Sequence, residues 1–237
     1  MPPCIARKYG VLRHCAVGAI KMPIDFQTQM SGWVLLTPDR VSGVVNHSDV
    51  IEAAGNPPVS LVQLADLAIA DFSTLQVSYI EAAPQRFNLS ITGRGPESIE
   101  RVNRVAKAAF HHALVSQDAV AMGLNFVRTG SLLDGDAGSL LMRLLNPQVT
   151  GFMGEIGHPL SSAGIKLMYE DGPWMVTMSV EPSTANPEQI AASVNFNIQM
   201  PGRADVDNLV DDAIRLYSSF VQVLNHLGEE NAHVIAH

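Results

Sequence analysis

At 237 residues the chain is long enough to bury about 70–75% of the surface it exposes when unfolded, so a sizeable core needs no covalent staples. Its 16% charged residues fall below the roughly 25% usual for a soluble protein, and a net charge of −8 excludes a general nucleic-acid binder, which needs a basic face. Two cysteines exclude a disulfide framework, and no apolar run approaches the ~18–20 residues that cross a bilayer.

Residues 1–24 show no sustained period and are expected to form a loose basic arm. Arg7, Lys8, Arg13 and Lys21 all precede the first acid, Asp25. The remainder carries 11 basic against 23 acidic residues, a net of −12. Arg13 and His14 interrupt the apolar segment, so no secretory leader is expected, and Met22 is an alternative start. Cys4 and Cys15 fit free thiols in a reducing cytoplasm.

From Phe26 to Leu36 the pattern is that of a strand with a buried end, closed by the turn Thr37-Pro38-Asp39-Arg40. Val41 to Val45 reads as a second, short strand. Ser48-Asp49 caps a short helix through Ala54, stopped by Gly55-Asn56-Pro57-Pro58. Beyond it, Leu61, Leu64, Leu67 and Ala68 fit one face of a helix capped by Ser60, but the same residues also fit a strand.

Thr74 to Glu81 alternates as a strand, Ala82-Ala83-Pro84 turns, and Phe87 to Ile91 returns as its hairpin partner. Pro96 opens a helix with Ile99, Val102, Ala106, Ala109, Phe110, Ala113 and Leu114 on one face. Val120 to Phe126 alternates as a strand, Arg128-Thr129-Gly130 reads as a polar break, and Ser139 to Leu145 as a short helix. Strands follow over Gly151–Ile156, Ile165–Tyr169, Trp174–Glu181 and Ile190–Met200. A second long helix starts near Val206, loaded with aspartates at its start and stopped by Gly228.

One stretch occurs twice. Phe87-Asn88-Leu89-Ser90-Ile91-Thr92-Gly93-Arg94 returns 109 positions later as Phe196-Asn197-Ile198-Gln199-Met200-Pro201-Gly202-Arg203, with four of eight positions identical. Upstream, Val77 to Glu81 is echoed by Val176 to Glu181. Each half therefore reads strand, turn, strand, Gly-Arg, helix. The expected fold class is α+β: an antiparallel-rich sheet, two long amphipathic helices and an internal strand-strand-helix duplication. The two units either join in one sheet or pack as lobes, and closely packed lobes over 25–147 and 148–237 are the favoured arrangement.

Candidate chemistry is sparse. Helix N-termini bind anions, and an arginine fork adds a clamp, which nominates Arg94, Gly95 and Arg203. The plainer reading is a glycine-permitted turn in which each arginine pairs with a nearby acid. Asp134 and Asp136 have part of a calcium-loop pattern but lack its later ligands, so an acidic turn is expected. Glu155 and His158 flank Gly157 and have the residue types for acid–base work or metal binding, without a second histidine at usable spacing. His111 and His112 are adjacent on a helix and point to different faces.

No cofactor or metal is expected. The preferred function is a non-enzymatic binding or assembly protein acting through apolar surface, a homo-oligomer or the holder of another protein. The alternatives are a small-molecule enzyme with its site between the halves and a nucleic-acid-associated factor using the basic arm. The expected location is cytoplasmic, with no membrane.

Overall fold

The computed structural model describes residues 25–39, 43–65, 67–73, 75–80, 85–93, 96–115, 117–131, 137–143, 155, 163–186 and 188–234. The strands are β1 (Asp25–Thr37), β2 (Ser60–Gln63), β3 (Leu67–Phe72), β4 (Leu75–Ile80), β5 (Gln85–Thr92), β6 (Ala121–Ser131), β7 (Ile165–Asp171), β8 (Trp174–Pro182) and β9 (Gln189–Gln199). The helices are α1 (Ser48–Ala54), α2 (Pro96–Ala113), α3 (Ala137–Arg143), α4 (Val206–Asp211) and α5 (Ala213–Val234). The fold is α+β, and all nine strands form one antiparallel sheet in the order β2-β3-β4-β5-β1-β6-β9-β8-β7.

That order carries the duplication. Read from edge to centre, one repeat is β3-β4-β5-β1 and the other β7-β8-β9-β6, joined where β1 pairs with β6. Both repeats thus lie in one continuous sheet, with the β1–β6 ladder running between the halves. The register also corrects the upstream echo. Phe87 faces Tyr79 and its counterpart Phe196 faces Val176, so Val176 corresponds to Tyr79 rather than to Val77. At its first residue the apparent match was two positions out of step, a shift that preserves which face the side chain takes there.

Alternation along the strands separates two faces. One row across the whole sheet reads Leu61, Ala70, Val77, Leu89, Trp33, Leu124, Phe196, Val176, Tyr169. Each of the helices named above contributes to one hydrophobic cluster on this face, with α2 supplying Ile99, Val102, Ala106 and Phe110, and α5 supplying Leu216, Phe220 and Leu224. The adjacent row, on the other face, reads Ser60, Asp71, Gln76, Ser90, Gly32, Asn125, Asn195, Thr177, Met168. Hydrophobic and polar rows on opposite faces are what a sheet covered on one side requires.

Helix α2 runs antiparallel to α4–α5: Lys107 pairs with Asp211 at 2.7 Å and His111 with Asp207 at 2.8 Å. Asp212 interrupts the second helix for one residue only, since Leu216 N–H still donates to the Asp212 carbonyl.

Several local expectations change. The proposed strand over 41–45 is instead a 3-10 turn at Val44–Asn46 where described, seated by buried Val44 and Val45. β6 runs through Arg128-Thr129-Gly130 to Ser131, because β1 and β9 supply ladder partners on both sides of those polar residues. Gly228 lies inside α5, which continues to Val234. Glu155 is helical, which contradicts a strand at that position, and the rest of 151–156 lies outside the described residues.

Candidate interaction surface

The nominated polar residues do not assemble into a site among the described residues. Arg94, Gly95, Asp134, Asp136 and His158 lie outside them. Arg203 opens a short 3-10 turn, Arg203–Asp205, directly before α4. Glu155 is exposed. His111 and His112 diverge as adjacent helical residues should: His111 bonds Asp207, while the His112 ring sits 4.1 Å from that of His47. These rings border a cavity of about 840 Å³ with Asp49 and Asp207. Among the described residues no three His, Cys, Asp or Glu are placed to hold a metal.

A second concavity, about 450 Å³, lies on the helix-free face around Gly32. A Cβ at Gly32 would meet the Leu89 carbonyl oxygen at 2.6 Å, so glycine is what lets β1 and β5 approach there. Arg86 is the charged side chain among the residues lining this concavity, its Nε donating to Asn88 Oδ1 at 2.9 Å, and Asn195 Nδ2 donates to Asn125 Oδ1 across the β6–β9 ladder at 2.8 Å.

The two edges of the sheet differ sharply. At the β7 edge, Lys166, Glu170 and Asp171 supply the charge that discourages further strand pairing. Arg215 Nη1 donates to Asp171 at 2.8 Å, and the same guanidinium grips both oxygens of Asp212 at 2.6 and 2.8 Å. That guanidinium, with the Trp174 indole, holds the Asp212 carboxyl below its ordinary pKa against the opposing effect of burial. The two carboxylates in turn raise the Arg215 pKa, and burial, then Asp171, pushes the Tyr169 phenol up.

The β2 edge has no such protection. Thirteen residues, 53–65, carry no charge. All four residues of β2 are exposed, and the large apolar side chains Val59, Leu61, Val62 and Leu64 are 71%, 46%, 44% and 60% exposed. Leu64 N–H donates to Leu67 O within the β2–β3 pairing, and rungs alternate along an antiparallel strand, so Leu61 and Gln63 direct backbone groups away from β3. Neither side of β2 is covered by another described element that buries these side chains.

Among the described residues the second repeat shows no counterpart of β2 beyond β7. Sequence reasoning left this segment undecided between helix and strand. The uncharged run after Pro57-Pro58, with Val59 and Val62 β-branched, was the available signal for a strand. Among the described residues no helix is long and apolar enough to cross a membrane. No protein-family model matches the chain, and no curated protein matches it.

Proposed function

We propose that this chain is a non-enzymatic binding or assembly protein that works by strand addition at β2. One observation carries the reading. β2 is an edge strand whose apolar side chains are not part of the core. Ordering each residue costs about 1–2 kcal/mol of backbone entropy, which the core does not return here. Exposed, flat, uncharged edge strands template pairing with another chain, main-chain bonds supplying affinity and alternate side chains specificity.

The test is a photo-crosslinking residue at Val59, at the rim of the strand, in the full chain expressed in cells. A discrete protein adduct that is lost when Leu61→Lys is added supports the reading. Absence of any adduct under efficient photolysis rejects it.

A further inference from the structure

We infer that the occupant of the β2 edge is a second copy of this chain, paired antiparallel through β2 about a two-fold axis perpendicular to the sheet. This rests on the binding reading above and names its partner. Three features select a copy of the chain itself.

The first is charge. With a net charge of −8, two copies repel over most of their surfaces, whereas residues 53–65 meet without any charged side chain. The nearest acid on the neighbouring strand, Asp71, is already engaged by Ser60 Oγ at 3.3 Å and Gln76 Nε2 at 2.7 Å. Across the axis the two Asp71 strands stand about three inter-strand spacings apart, roughly 14 Å, beyond the screening length of about 8 Å at physiological salt.

The second is parity. A two-fold axis perpendicular to a sheet brings equal faces together, so odd residues must oppose odd ones. With the axis at Leu61, Leu61 opposes Leu61 of the second copy and Val59 opposes Gln63 on the helix-covered face. Ser60 opposes Val62 on the other face. The outward backbone groups of Leu61 pair across the axis and the outward Gln63 N–H is offered to the Val59 carbonyl of the second copy, while the Val59 N–H stays on the Asp71 carbonyl at 2.7 Å. Helices of both copies fall on the same side, so the two hydrophobic layers are continuous.

The third is closure. Among the described residues the β2 edge alone is uncharged, because β7 carries Lys166, Glu170 and Asp171. Pairing through β2 alone stops at two copies, whereas β2-to-β7 pairing would propagate into a filament.

The experiment is solution mass of the full chain by sedimentation equilibrium across the micromolar range. The expected mass is twice the 25.5 kDa chain, about 51 kDa. Leu61→Lys, which sets two ammonium groups against each other, and Gln63→Pro, which removes an outward N–H, each shift the mass to that of one chain. Both should leave the near-ultraviolet tryptophan signal unchanged, since β2 contributes nothing to the core. A native chain that stays monomeric throughout the range overturns the inference, as does a dimer that persists in both folded variants. If the chain is monomeric and the Val59 crosslink captures a different protein, the self-pairing falls while the binding reading stands. If that crosslink captures nothing, both fall.

Discussion

Asn103 and Asp212 occupy the same point of the two repeats, 109 positions apart, and each accepts the indole N–H of one tryptophan. Trp33 donates to Asn103 Oδ1 at 2.9 Å, and Trp174 donates to Asp212 Oδ2 at 3.1 Å. The acceptors are equivalent but the donors are not: Trp33 is on β1 and Trp174 on β8, with ring centroids 6.2 Å apart. The duplication supplied two like-placed acceptors on the helices, and each repeat filled its half of the core with a tryptophan from a different strand.

The two acceptors should respond differently to substitution. Trp33 is fully buried and Asn103 is 8% exposed, so Asn103→Ala leaves a buried N–H without an acceptor. The expected loss is about 1–3 kcal/mol. Asp212→Asn keeps an oxygen for Trp174 and removes only the pairing with Arg215, which is 47% exposed, so about 1 kcal/mol or less is expected. Urea unfolding of the two variants checks the order.

Acid should weaken the protein through Asp212. Its folded pKa is lowered, chiefly by the Arg215 hydrogen bond and then by Trp174, against burial. A depressed carboxyl stabilises the fold above the unfolded carboxylate value of about 4, and that contribution disappears as pH falls through the folded value. The native melting temperature should therefore fall more steeply below about pH 4 than that of Asp212→Asn. Parallel curves would exclude this carboxylate as the cause.

Gly32→Ala should cost about 1–3 kcal/mol, because the added methyl meets the Leu89 carbonyl at 2.6 Å and β1 and β5 must separate. Gly123→Ala meets the Phe196 carbonyl at 3.4 Å and should cost less. Chemical denaturation of both variants measures the difference, and equal losses would show that the close approach at Gly32 is not what constrains it.

Tyr169→Phe should raise the urea midpoint. The Tyr169 hydroxyl is buried with no hydrogen-bond partner among the described residues, and burial, then Asp171, raises its pKa. Removing an unsatisfied hydroxyl spares its desolvation, a gain of up to about 1 kcal/mol. A lowered midpoint would reveal a partner for that oxygen.

The local periods of this sequence determined the long elements by themselves. Alternation in Ile190, Ala192, Val194 and Phe196 marks β9, and the Ile99 to Phe110 spacing marks α2, because each pattern records one buried face of one element. The Gly-Arg corners and the Phe87/Phe196 pair likewise carry the duplication in the letters alone. What the sequence left open was everything set by residues distant along the chain. Arg128-Thr129-Gly130 became strand because β1 and β9 both offered partners. Ladder hydrogen bonds join segments remote in sequence and are indifferent to side-chain identity, so hydrophobic period does not encode them. Tertiary structure alone decided that both repeats share one sheet, that Asn103 and Asp212 reach different tryptophans, and that β2 ends the sheet with its apolar side chains in the open.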